Sequence, residues 1–298
     1  MVGRAIAVNE FAPGPELPDW LEKMVPFTRY RIPIGDDFVH VMEVGEGTPV
    51  VAFHGNPTWG FLYRKVAIGL APKGYRVIMP DLIGLGFSTK PREASWHTLN
   101  NHVDVMRQVL NVLDVQNYIT IGQDWGGPIG LLASARAEHQ PAGLVILNTV
   151  FAPPRPGFRP TFFHRFSRWP IVSDVVFRGL QFPQAMLSIA QGDKRSIRGK
   201  ISKAYRFPLK GYARNVAPLA LARMVPDTLQ HPSITPMKEC FEFVTKFDGS
   251  IACVWGTKDP VLGSVLRYAR KVLPDARFTE TDAGHFLQEE VPDDIVNA

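Results

Sequence analysis

Two cysteines in 298 residues leave no disulfide framework, and they form no CxxC pair that could hold zinc. Cys253 lies in the apolar run Ile251–Trp255, which points to a buried, reduced thiol, while Cys240 stands alone. None of the eight histidines falls in an HExxH or other paired-ligand spacing, so the usual signatures of a hydrolytic metal site are missing. No apolar run approaches the roughly 18 residues of a bilayer span. The start, Met1 to Phe11, has neither the basic n-region nor the apolar h-region of a secretory leader, so a cytoplasmic protein is expected. Asp81-Leu82-Ile83-Gly84-Leu85-Gly86 lacks the third glycine of a dinucleotide loop and is followed by no Lys-Ser/Thr pair, which leaves a structural turn. No repeat or low-complexity tract is found.

What is present is enough apolar material for a large core, with hydrophobic residues at 45% and charged ones at 20%. Short apolar, β-branched runs recur at Pro49–Phe53, Tyr75–Met79, Tyr118–Ile121, Leu144–Leu147 and Ile251–Trp255. Stretches with helical spacing lie between them, at Phe61–Leu70, His102–Leu113 and Ile129–Ala137. Uniformly apolar strands suit a sheet covered on both faces, so this order predicts an α/β protein with a doubly wound, mostly parallel sheet. The pattern breaks after Thr149, where Pro153, Pro154, Pro156 and Pro160 punctuate a stretch rich in Phe and Arg, and it resumes near Met224. The expected division is a core of residues 1–151 and 224–298 with an inserted helical cap, 152–223, carrying helices at Ile171–Leu180, Pro183–Ala190 and Gly211–Ala222. The net charge of +5 is concentrated there: residues 152–223 hold fourteen Lys and Arg against two acidic residues, leaving 19 against 26 elsewhere.

The pattern richest in chemistry is Gly122-Gln123-Asp124-Trp125-Gly126, placed between an apolar strand and a helical run opened by Pro128. It has the form of a nucleophile elbow, in which glycines permit a sharp strand-to-helix turn that presents the central side chain. Asp stands where Ser is usual, so the nucleophile is a carboxylate. An Asp capping the next helix would fit the same spot, and the context weighs against it. Asp259, in Gly256-Thr257-Lys258-Asp259-Pro260, and His285, in Asp282-Ala283-Gly284-His285-Phe286, follow in the chain order nucleophile, acid, histidine. His40, His97, His102, His139, His164 and His231 have no such context and are assigned no chemistry.

These residues resemble the haloalkane dehalogenases of the α/β-hydrolase superfamily. The resemblance rests on His54-Gly55-Asn56-Pro57-Thr58-Trp59, on Asp81 to Ser88, on Gln123-Asp124-Trp125-Gly126-Gly127 and on Asp282 to Phe286, and it extends over nearly the whole chain except the cap. It implies Asp124 as nucleophile, His285 as base, Asp259 as the acid that orients it, Asn56 and Trp125 as halide ligands, and the backbone amides of Asn56 and Trp125 as an oxyanion hole. It implies no metal and no organic cofactor. In the family the acid follows either of two strands; the other position falls near Asn148, which cannot ionise. An Asp acid with an Asn halide ligand resembles the third subfamily. Trp169 is a candidate for a further halide contact, with packing inside the cap favoured.

The implied partners are a small halogenated hydrocarbon, water and the released halide. An epoxide hydrolase would share the triad but needs lid hydroxyls such as Tyr205 and Tyr212 to protonate the ring oxygen. A binding protein whose basic cap grips anions, nucleic acid or a membrane surface is the alternative of another class. The cap charge also suggests self-association against the acidic core of a second copy.

Overall fold

The computed structural model describes residues 10–155 and 157–298; residues 1–9, on which most of the reading of the chain start rests, and Pro156 lie outside the described residues. Nine strands form one sheet: β1 (Ala12–Pro13), β2 (Thr28–Ile34), β3 (Asp37–Val44), β4 (Thr48–Phe53), β5 (Tyr75–Pro80), β6 (Ile119–Gln123), β7 (Gly143–Leu147), β8 (Ser250–Gly256) and β9 (Arg277–Thr281). Their order is β1-β2-β3-β5-β4-β6-β7-β8-β9. From β5 to β9 every neighbouring pair is parallel, and β1, β2 and β3 continue the sheet antiparallel.

All five expected strands are present. Their uniform apolarity has the anticipated cause: along β4, Val51 and Phe53 enter one core with Ile129 and Leu132, while Val50 and Ala52 enter the opposite one with Leu62 and Val66. The β2–β3 hairpin was not anticipated because polar residues break both apolar runs: β3 is buried from Val39 to Glu43 but carries Asp37, His40 and Glu43. Tyr30, Ile32 and Ile34 point inward and alternate with Arg29, Arg31 and Pro33, a period-two signal weaker than a continuous apolar run.

Between β7 and β8 the chain leaves the sheet. The expected cap helices form, but shorter and broken: Val172–Asp174 runs into a π-turn at Val175–Gly179, Phe182–Ala185 precedes a 3₁₀ turn, and only Val216–Arg223 lasts two turns. Phe162–Phe166 and Lys200–Arg206 are additional. Pro170, Pro183 and Pro208 and the left-handed residues Gln181 and Ile171 interrupt what would otherwise be longer helices. The helix Ile234–Thr245 then packs on Gly126–Arg136. No helix among the described residues is long and apolar enough to cross a membrane.

A buried ion pair fastens cap, core and C-terminal segment together. Glu289 accepts from Arg64 Nη1 and Nη2 at 2.6 and 2.8 Å and from the Tyr205 hydroxyl at 2.6 Å, and its side chain is wholly inaccessible. Replacing Glu289 with Ala strands the Arg64 charge in a dry site, so Glu289→Ala is expected to cost about 3–5 kcal/mol in a urea titration, whereas Tyr205→Phe costs about 1 kcal/mol.

A second buried polar group makes the fold acid-sensitive. His97 Nδ1 lies 3.1 Å from His102 Nε2, and the other nitrogen of each ring has no partner. Burial pushes His97 down to about 4 and His102 well below the ordinary histidine value. Between pH 6.5 and 4 the unfolded chain therefore binds protons that the folded chain refuses, and stability falls as pH drops through that window. Thermal melts should show this slope, and the double variant His97→Leu, His102→Leu should make it shallower, leaving the part that buried His54 and His164 contribute.

Candidate active site

Asp124 occupies the turn between β6 and the helix Gly126–Arg136, at φ +50°. A Cβ on Gly126 would stand 2.0 Å from the carbonyl oxygen of Phe53, and one on Gly127 would stand 1.9 Å from Thr149 Oγ1. These glycines are therefore required by the approach of the elbow to β4 and to the end of β7. Thr149 Oγ1 donates to the Asp124 carbonyl at 2.6 Å, and the Asp124 amide donates to the Asn148 carbonyl at 3.1 Å, so the strained residue is held from both sides.

The HGNPT loop arrives from β4. Asp81, buried after β5, positions it by accepting from the Gly60 amide at 2.7 Å, and its other oxygen accepts from Phe87 N and lies 2.8 Å from His40 Nδ1. Burial alone would raise this carboxyl, but His40 and His54 outweigh it and hold it below its ordinary value. The Asp81–Gly86 turn is thus structural, as expected: a Cβ on Gly86 would meet Asp81 Oδ2 at 2.0 Å.

The structure brings the expected residues together. His285 Nδ1 lies 2.8 Å from Asp259 Oδ2, and His285 Nε2 lies 3.5 Å from Asp124 Oδ2. Asn56 N donates to Asp124 Oδ1 at 2.8 Å; the Trp125 amide makes no comparable bond among the described residues. Asn56 Nδ2 donates one hydrogen to Pro218 O of the cap at 3.0 Å, leaving the second free, and the Trp125 indole N–H has no acceptor among the described residues. Burial pulls His285 down, but Asp259 and Asp124 together outweigh it and raise the ring to about 10. Burial likewise raises Asp259, and His285, Asn148 and the Val261 amide more than reverse it.

Three groups passed over in the sequence belong here. Asn148 caps β7 and donates through Nδ2 to Asp259 Oδ2 at 2.7 Å while its Oδ1 accepts from Gly256 N at 2.7 Å, so it orients the acid it cannot replace. Gln123 donates to the His285 carbonyl at 3.0 Å. His164, assigned no chemistry above, faces the nucleophile across the cavity; its Nδ1 lies 2.8 Å from Thr161 Oγ1, and burial pushes it down to about 4. Only the folded cap carries it there, and no spacing in the sequence announces that.

Other candidates lie apart. Trp169 is 52% exposed on the outside of the cap and lines neither cavity. Tyr205 is spent on Glu289, and Tyr212 stacks under Arg178 near the surface.

Two cavities, of about 530 and 230 Å³, meet at Asp124, Trp125, Thr161, His164 and Val261. The larger runs beneath residues 150–155 and 157–158 to Leu262 and Tyr268; the smaller holds Asn56, His285 and Phe286 and runs under Met186, Leu187, Ile189 and Ala190. Both are walled mainly by apolar side chains, so a charge formed on a departing group would meet few donors other than those at the junction.

Residues 48–292 match the α/β-hydrolase-fold family model. A haloalkane dehalogenase from Mycobacterium marinum is 30% identical over 257 residues, 85% of this chain and 84% of that protein. The chain belongs to the haloalkane dehalogenase family of α/β-hydrolase-fold enzymes. Within that sequence range stands also a cis-3-alkyl-4-alkyloxetan-2-one decarboxylase from Shewanella oneidensis, 29% identical over 93% of this chain and 88% of its own length. The fold of this dehalogenase-family chain is shared with a tetrameric haloalkane dehalogenase from Paraglaciecola agarilytica, at a TM-score of 0.80, 23% identity and 96% coverage of both chains.

Proposed function

We propose that the chain hydrolyses haloalkanes, with Asp124 as the attacking group. The observation that carries this reading is an elbow carboxylate opening into an apolar cavity beside two N–H groups, the second amide hydrogen of Asn56 and the indole of Trp125, that find no acceptor among the described residues. Displacement at an sp³ carbon needs an anionic nucleophile and no proton for the leaving group. An Asp124 oxygen bonds to the carbon as the carbon–halogen bond breaks, its electron pair leaving with the halide, and Asn56 and Trp125 donate to that developing charge. Water then attacks the ester carbonyl, giving a proton to His285; the bond from that carbonyl to the alkyl oxygen breaks, the departing oxygen takes the proton back and leaves as the alcohol, and Asp124 regains its carboxylate as one proton passes to solvent. Forming the ester neutralises Asp124 and so removes one of the two charges that hold the proton on His285. The base becomes available at the step that needs it, and Asp259 steadies the imidazolium.

A second reading has a specific observation behind it. An oxetan-2-one bearing two alkyl groups has two apolar arms, and two lobes diverge here from one carboxylate. Attack on its ring carbon would expel a carboxylate, which asks the same of Asn56 and Trp125 as a halide does. Epoxide hydrolysis is disfavoured, because neither Tyr205 nor Tyr212 lines the cavities.

The deciding experiment measures bromide from 1,2-dibromoethane and 1-bromobutane, alkene and carbon dioxide from a cis-3,4-dialkyloxetan-2-one, and diol from styrene oxide. Bromide release supports dehalogenation. Alkene without bromide transfers the site to decarboxylation, and diol alone would return the epoxide reading.

A further inference from the structure

Most of the large apolar side chains left exposed among the described residues belong to the cap: nine of twelve, among them Phe162 at 70%, Ile171 at 78% and Leu180 at 66%. Part of this surface is continuous. Phe162 stacks on Phe166 and Phe166 meets Trp169 edge-on, with ring centroids 6.0 and 5.3 Å apart. Ile171 and Val175 follow one helical turn apart, Val175 N donating to Ile171 O at 3.0 Å. Ile171 also takes φ +61°, a conformation a β-branched residue adopts only under constraint, and it does so while facing solvent. A run of exposed apolar side chains so close together in the chain, on a strained backbone, is a poor solution to folding alone and marks a contact surface.

Its charge identifies the partner. Only Arg168, Arg178, Arg195 and Arg223 of the fourteen cap cations form ion pairs among the described residues. Arg159 and Arg165, which flank Phe162, are exposed and unpaired. A second copy matches this surface badly. Cap against cap sets cation against cation, and among the described residues the acidic core offers only Ile68, Leu229 and Val261 as exposed large apolar groups. The face of an anionic bilayer supplies both needs at once, acidic headgroups for arginine and hydrocarbon for Trp169, Ile171 and Val175.

We propose that the cap docks peripherally on a negatively charged lipid surface through the Phe162–Val175 segment. Phe158 and Ile189, which line the larger and smaller cavities, are exposed on the same cap. If the substrate is apolar, as the proposed function has it, docking would bring the cavity close to where such a substrate concentrates. The docking itself does not depend on that reading.

The test is sedimentation of the full chain with phosphatidylcholine vesicles, alone or with phosphatidylglycerol, over a salt series. Binding should rise about tenfold or more with the anionic lipid and weaken with salt. The variants Trp169→Ser with Ile171→Ser, and Arg159→Glu with Arg165→Glu, should each lose about tenfold while keeping the parent's thermal melt. No sedimentation with either vesicle, or variants that sediment like the parent, overturns the proposal. Concentration-dependent self-association abolished by the first pair, without vesicle binding, assigns the face instead to a second copy.

Discussion

A His285→Gln variant is expected to release one bromide per active site and then stop, and an Asp124→Ala variant to release none. The geometry separates the two roles. Asp124 presents Oδ2 toward the cavity and His285, and needs no base to attack because it is already an anion. Its loss should lower turnover by a factor on the order of 10⁶, as when the nucleophile of a catalytic triad is removed. His285 is needed only afterwards, to take a proton from water. Without it the alkyl ester should persist, visible as an added alkyl mass on the peptide that contains Asp124. Steady bromide release by His285→Gln would mean that another group activates the water, and His164, facing the same junction, would be the first to examine.

Gly126→Ala should destabilise the fold as severely as any single methyl group can. The added carbon would sit 2.0 Å from the Phe53 carbonyl oxygen and 2.5 Å from that of His54, both backbone atoms that cannot rotate aside. Either the helix Gly126–Arg136 withdraws from β4 or the HGNPT loop shifts, and overpacking of this kind costs about 3 kcal/mol or more. Asn56 N and Asp124 Oδ1 would separate with it, so activity should fall even in molecules that remain folded. Urea unfolding and residual turnover would be measured together. A stable but inactive Gly126→Ala would show that the elbow tolerates the strain and the oxyanion geometry does not.

Much of this was legible in the residues. The elbow could be read because its signal is local: two small residues, a strand before and a helix after, with the turn between them compressed into five positions. The five buried strands could be read because both faces are covered and every position but Arg76 and Thr120 is apolar. The β2–β3 hairpin could not, since arginine alternates along β2 and Asp37, His40 and Glu43 break the apolar run of β3. The cap resisted for a related reason. Its helices are brief, and interrupted by proline and left-handed residues, so periodicity has no length over which to accumulate.

The sequence by itself determined the five central strands of the sheet, the strained carboxylate and the order of its partners, because strand burial and the elbow turn follow from neighbouring residues. Only the tertiary structure decided that Asn148 orients Asp259 from β7, that His164 reaches the junction, that Trp169, Tyr205 and Tyr212 do not, and that the cavity divides into two lobes. Those facts depend on residues far apart in the chain meeting, Asn148 and Asp259 within the core and the others where the cap closes over it, and the angle at which a cap closes over a sheet is set by packing that no local pattern encodes.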